Sequence, residues 1–157
     1  MNIFEFNQDN LRAADSTRST GDAGERLAAR FLTANGYRLV VSNFTVPVGR
    51  NSRGAQVTGE IDLIAMDGDI LCFIEVKTRR SADFAAPTAN VDIRKQRQIT
   101  RAAKVYRKIF GIRDIRHRFD VVSVVLPENG RIEVELFKGY WNESKFRKKI
   151  WHDGAFV

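Results

Sequence analysis

Two short apolar runs joined by Asp67-Gly68 constrain this chain more than any other feature of it. Residues 59–66 and 69–77 alternate apolar with polar or charged side chains at their outer ends. Asp-Gly between two such runs is a strong hairpin signal. Side chains alternate faces along a strand, so Glu60, Asp62 and Ile64 are expected on one face and Ile61, Leu63 and Ala65 on the other. On the second run Phe73, Glu75 and Lys77 share a face opposite Cys72, Ile74 and Val76. The Ile61/Leu63 and Ile74/Val76 sides are apolar and are expected to be buried. A two-residue Asp67-Gly68 turn pairs Met66 with Asp69, Asp62 with Phe73 and Glu60 with Glu75. A four-residue loop instead puts Asp62 directly opposite Glu75 on the same faces. A three-residue loop sends the two carboxylates to opposite faces.

Acidic residues facing one another across a strand pair repel. Glu60, Asp62 and Glu75 together carry more negative charge than Lys77 offsets, and a divalent cation would resolve the conflict. Carboxylate oxygens with retained waters suit Mg²⁺ or Mn²⁺. Such an ion polarises a phosphoryl oxygen and lowers the pKa of a bound water. Lys77 is then placed to orient that water or to stabilise transition-state charge. The plainer alternative is a set of solvated charges at a sheet end. Glu25 is a further candidate. On a helical wheel it lies at the edge of the Leu27/Phe31 stripe, aimed at the end of a sheet beneath it, although a first-turn Glu is also ordinary helix chemistry.

The remaining elements follow from periodicity. Residues 1–19 read as a polar tail. Residues 21–35 form a helix with Thr20 as N-cap, the stripe Ala23, Leu27, Ala28, Phe31 and Leu32, and a stop at Gly36. Residues 37–46 form a strand, and 47–58 read as a mobile basic loop carrying Arg50 and Arg53. Residues 78–90 are a loop with Arg79 and Arg80. A long helix spans 91–110, with Ile99, Ala102, Ala103, Tyr106 and Ile109 inward and Arg94, Arg97, Arg101, Lys104 and Lys108 together on the other side. Strands at 118–126 and 131–137 follow, and 141–157 is a basic tail with a short helix at 142–150. The order α-β-β-β-α-β-β over residues 20–140 implies an α/β domain with a central mixed β-sheet flanked by helices.

Composition narrows the partners. The formal net charge is +7, which favours polyanions, nucleic acid above all. A single cysteine, Cys72, lies in an apolar run and excludes an intramolecular disulfide. No leader pattern and no apolar run of membrane-spanning length is expected, which points to the cytoplasm. His117 and His152 make no zinc pattern with one cysteine, and His117 reads as a surface residue. Trp141, Trp151 and Phe146 are expected to anchor the C-terminal tail rather than to stack on bases.

The runs Gly59-Glu60-Ile61-Asp62-Leu63-Ile64 and Phe73-Ile74-Glu75-Val76-Lys77-Thr78-Arg79 resemble the YraN family, a bacterial group with the restriction-endonuclease-like fold of the PD-(D/E)XK superfamily. Gly24-Glu25 followed by Ala28, Lys95-Gln96, and Arg118-Phe119-Asp120-Val121-Val122 extend the resemblance over about residues 21–137. The chain is similar also to archaeal Holliday-junction resolvases. The resemblance implies that Glu25, Asp62 and Glu75 ligate the metal, that Lys77 is the catalytic lysine, and that Gln96 supports the site beside Glu60. It implies a Mg²⁺- or Mn²⁺-dependent endonuclease acting on DNA, branched DNA by analogy. Arg50, Arg53, Arg79, Arg80 and the basic helix face would bind phosphates, and a homodimer is compatible with this. Two other readings remain open. One is a nuclease-derived nucleic-acid-binding module with little or no cleavage. The other is a scaffold protein in DNA processing.

Overall fold

A computed structural model describes residues 17–80 and 90–147. Its elements run α1 (Thr17–Ala34), β1 (Arg38–Arg50), β2 (Gln56–Asp67), β3 (Ile70–Arg79), α2 (Ile93–Ile109), β4 (His117–Val125), β5 (Glu133–Trp141) and a short 3₁₀ turn, Glu143–Phe146. The order α-β-β-β-α-β-β is the one expected from the sequence. The five strands lie in sequence order in one mixed sheet, antiparallel except for β3 against β4. A parallel pair needs a crossover, and α2 lies in that connection. The result is an α/β domain, a five-stranded mixed sheet flanked by two helices, consistent with the restriction-endonuclease-like fold.

Each helix buries its stripe on one sheet face. Leu27, Phe31 and Leu32 of α1 pack with Leu63, Cys72, Ile74, Val76, Val122 and Val124. Ile99, Ala102, Ala103 and Tyr106 of α2 pack with Ile64, Phe73, Phe119 and Val121. Cys72 is fully buried, as its apolar run requires. Glycines allow two close approaches. A Cβ on Gly24 of α1 would lie 1.9 Å from Thr78 Oγ1 of β3. A Cβ on Gly59 of β2 would meet Ala102 Cβ at 3.0 Å and the Gln98 carbonyl oxygen at 3.1 Å on α2.

Several local expectations need correction. Helix α1 begins at Thr17, so Thr20 lies inside it, and its hydroxyl accepts from Arg80 at 2.8 Å rather than capping the helix. Residues 47–58 are not a loop. Pro47 pairs with Thr58 and Arg50 with Gln56, which leaves a turn at 51–55 closed by Asn51 Oδ1 accepting from Arg53 N and Ala55 N. Proline and glycine are tolerated because β1 is an edge strand with a bulge between Pro47 and Gly49. Ile109 is 58% exposed: α2 ends there, and the Phe110 ring covers Tyr106 at 4.7 Å instead. His117 is half-buried, with Nε2 3.2 Å from Glu143. Trp141 anchors the chain after β5 by stacking on Phe119 and donating to Thr100 Oγ1 at 2.9 Å. Trp151, His152 and residues 148–150 of the expected C-terminal helix lie outside the described residues.

A polar cluster fixes one end of the sheet. Fully buried Asp120 accepts from Arg118 Nε at 2.7 Å and from the Gly139 amide at 2.9 Å. Arg118 also donates to Asp67 at 2.8 Å and to the Tyr37 hydroxyl at 2.9 Å.

Candidate active site at the parting of β2 and β3

The hairpin register differs from the Asp67-Gly68 arrangement by two residues. Asp67 pairs with Ile70, and Gly68-Asp69 form the turn, with Gly68 at φ +60. Glycine in the first central position of a two-residue turn explains the slide. Asp67 is held at the strand end by Arg118 and Lys138. Sheet pairing runs from Asp67↔Ile70 to Leu63↔Ile74, and the next step of that register sets Asp62 opposite Glu75. The turn still has an even length.

At Asp62 the two strands part. Ile61 packs in the α2-side core while Leu63 packs in the α1-side core, so the strict Ile61/Leu63 face expected from alternation is broken at this residue. Asp62 turns its carboxylate to β3, where Oδ2 accepts the Val76 amide at 2.8 Å. Beyond this point β1 and β2 continue as a two-stranded arm whose tip carries Arg50 and Arg53.

Glu75 is 4% exposed. Its Oε1 lies 3.5 Å from Lys77 Nζ and its Oε2 lies 3.6 Å from Lys95 Nζ. Oε2 is buried and has no hydrogen-bond partner among the described residues. Burial first, and then the neighbouring Asp62 carboxylate, push Glu75 well above the ordinary carboxylate range, while the two lysines oppose the shift. Glu25 approaches from α1, which the Gly24–Thr78 contact holds close to β3. Its pKa is also raised, by burial, then by Asp62 and Asp22, with the Asn43 side chain opposing and Glu60 adding to the shift. Glu60 itself is exposed and pairs with Thr45.

The structure therefore brings Asp62, Glu75 and Lys77 together, with Glu25 in electrostatic range of Asp62. Among the described residues, no three His, Cys, Asp or Glu side chains converge into a metal-holding group. The pair Asp62 and Glu75 is the donor set that fits one hard divalent cation. Glu75 Oε2 has an unmet acceptor, and such an ion is commonly held by one or two carboxylates with retained waters. Gln96 is buried, and its amide is engaged by the Val91 carbonyl at 2.8 Å and by Lys145 Nζ at 3.1 Å.

Two contributors were not assigned a role at the site from the sequence. Lys95 stands one residue before Gln96, in the first turn of α2, and only the docking of that helix shows which of the two faces Glu75. Asn43 takes a left-handed backbone conformation at φ +53, which asparagine tolerates better than most residues, and its side chain favours the charged form of Glu25. No strand or helix periodicity marks such a position.

The expected phosphate-binding residues lie on three parts of the fold: α2, the tip of the β1–β2 arm and the end of β3. Arg94, Arg97, Arg101, Lys104 and Lys108 are all exposed on α2, the helix that delivers Lys95. Arg97 also lies over the Phe146 ring at 5.7 Å. Arg50 donates to the Gly54 carbonyl across the arm's tip at 2.8 Å, and Arg53 is exposed beside it. Arg80 is exposed and bonded to Thr20, and Arg79 is half-buried at the end of β3. A cavity of about 390 Å³ opens elsewhere, between His117, Arg118, Trp141, Glu143 and Arg147. His117 lies four residues along β4 from the Val121 that pairs with Glu75, so this cavity is separate from the carboxylates. No described helix is long and apolar enough to cross a membrane.

Comparison with known proteins places these residues in a family. A UPF0102 protein of Symbiobacterium thermophilum is 41% identical over 122 residues, covering 78% of this chain and 95% of its own length. One from Acetivibrio thermocellus is 39% identical over 130 residues, covering 83% and 88%. One from Desulfosudis oleivorans is 42% identical over 118 residues, covering 75% and 85%. A solved structure titled for SSO0001 overlays 83% of this chain and 56% of its own at 16% identity, with a TM-score of 0.38, too loose a match to carry an argument. The profile described as uncharacterised protein family UPF0102 matches residues 24–124, a span that holds Glu25, Asp62, Glu75, Lys77 and Lys95. The chain belongs to the UPF0102 family.

Proposed function

We propose that this UPF0102 protein is a divalent-metal-dependent endonuclease of the PD-(D/E)XK type that hydrolyses DNA phosphodiester bonds. The observation that carries this reading is Glu75 Oε2, a buried carboxylate oxygen beside Asp62 with no hydrogen-bond partner among the described residues. A native fold rarely leaves such an atom unpaired without a ligand or a catalytic use for it. In this reading Asp62 and Glu75 would hold Mg²⁺ or Mn²⁺, with Glu25 of α1 as the further carboxylate on their side. When bound, the ion supplies Lewis acidity toward a phosphoryl oxygen and a water of lowered pKa. Asp62 is oriented for this role by the Val76 amide. Lys77, half-buried on the same strand, places its ammonium group beside Glu75, where it would stabilise negative charge building on the phosphoryl group. Glu60 adds negative charge at the solvent edge. The Arg50/Arg53 arm and the basic face of α2 hold the DNA backbone without reading sequence.

The test is a cleavage panel with Mg²⁺ or Mn²⁺ on linear, branched and single-stranded DNA. The wild-type protein is expected to cut at least one of them. Lys77→Ala is expected to lose cleavage by about 10²-fold or more, the scale of a lost charge stabiliser, while DNA binding is retained. Full activity in that variant removes Lys77 from the mechanism. A second reading is a nucleic-acid-binding module that does not cleave. It is favoured by the lack of a three-carboxylate group among the described residues, and binding without cleavage on every substrate would establish it.

A further inference from the structure

Lys95 has no place in the function described so far, yet its ammonium group lies 3.6 Å from the buried, unpartnered oxygen of Glu75. The separation is longer than the roughly 2.7–2.9 Å of a charge-assisted hydrogen bond. The lysine offsets the charge without closing a bond. Its backbone is firmly held. The Lys95 amide donates to the cap residue Asp92 at 2.8 Å, and the side chain of the next residue, Gln96, is tied to Val91 and Lys145. The free part is the alkyl-ammonium arm, 28% exposed and able to swing toward solvent. Lys77 is placed differently. It comes from the same strand as Glu75 and lies against the other oxygen, Oε1.

We propose that Lys95 is a positioning residue whose ammonium group stands in for a divalent cation at Glu75 Oε2 and is displaced when that cation binds. The proposal rests on the reading that Asp62 and Glu75 hold a metal, and it adds the competitor for that metal. A cation coordinated to Oε2 cannot share the oxygen's surroundings with an ammonium at 3.6 Å without strong repulsion. Occupation of the site therefore turns Lys95 outward, onto the side of α2 that carries Arg94 and Arg97. Lys95 holds the site ready in the metal-free protein and limits how tightly metal binds.

Calorimetric titration of the full chain with Mn²⁺ alone, without DNA, tests this directly. Lys95→Gln is expected to bind Mn²⁺ about tenfold more tightly than wild type, because a competing charge beside the ligand oxygen is gone. Lys95→Arg keeps the charge and is expected to stay within about threefold of wild type, as is Arg30→Gln, an exposed charge on α1 remote from this role. Lys95→Met preserves the alkyl packing and is expected to show the same gain, which covers poor folding of the Gln variant. A residue that only supports the fold would weaken binding when replaced, never tighten it. Wild-type binding that is abolished by Asp62→Asn, but unchanged or weakened by both Lys95→Gln and Lys95→Met, overturns the role of Lys95 alone. No Mn²⁺ binding by any of the proteins overturns both this proposal and the metal reading beneath it.

Discussion

Glu75 couples stability to pH in a way its neighbours make specific. Its folded-state pKa is raised, by burial before Asp62. A carboxyl that binds its proton more tightly when folded favours the folded state while protonated, below the unfolded carboxylate value near 4.3. That contribution is lost as pH rises through the raised folded value. The metal-free protein should therefore lose stability on going from weakly acid to mildly alkaline conditions. Glu75→Gln keeps the shape, removes the ionisation and is expected to flatten this dependence. It should gain about 1–2 kcal/mol at neutral pH, as site residues often do when function is sacrificed, and should lose the cleavage proposed above. Urea unfolding in chelator across that range checks it, and a variant with the wild-type slope would place the coupling elsewhere. The hairpin that brings Asp62 near Glu75 was legible in the sequence, but its register was not: the turn falls on Gly68-Asp69 rather than Asp67-Gly68, and regular pairing ends at Leu63↔Ile74. The contact of Lys95 with Glu75 was not legible either, because no rule of sequence spacing reports how a helix from a crossover docks on a strand.

At the scale of elements, the site depends on how closely α1 approaches β3. Gly24 lies where any Cβ would collide with Thr78, whose hydroxyl oxygen would be 1.9 Å away and whose own Cβ would be 2.9 Å away. The branched Thr78 side chain has little freedom to withdraw. Gly24→Ala is expected to cost about 1–3 kcal/mol by overpacking. It should also push Glu25, the next residue along, away from Asp62. Thr78→Ala removes the nearest atoms and is expected to recover part of the loss in the double variant, a coupling of about 0.5 kcal/mol or more. Chemical denaturation of the four proteins in this cycle measures it, and additive effects would show that the two residues do not meet. The elements themselves were legible where periodicity ruled, as in α1, β3 and β4. The arm of β1 and β2 was hidden because Pro47, Gly49 and Gly54 signal a loop. The tolerance of Pro47 and Gly49 on a bulged edge strand appears only when the sheet order is known.

For the molecule as a whole, the question is whether its +7 charge is organised around the carboxylates. Helix α2 joins the two. Its first turn delivers Lys95 to Glu75, and Arg94, Arg101 and Lys104 are exposed along its length. Gly59 brings the arm of β1 and β2 against the same helix at Gln98 and Ala102. A backbone lying along α2 would thus pass beside Glu75 and meet the arm's arginines. Phosphate neutralisation releases condensed counterions, so log affinity falls with log salt in proportion to the number of phosphates engaged. Replacing Arg94, Arg101 and Lys104 together with Gln is expected to reduce the magnitude of that slope for duplex DNA by about 2–3, close to 0.9 for each phosphate no longer neutralised. The weakening should be similar across unrelated sequences, since backbone binding carries no base information. These exposed side chains carry little of the fold, so thermal stability should change little. Fluorescence anisotropy across a salt series measures the slope. An unchanged slope would take α2 out of the proposed nucleic-acid interface.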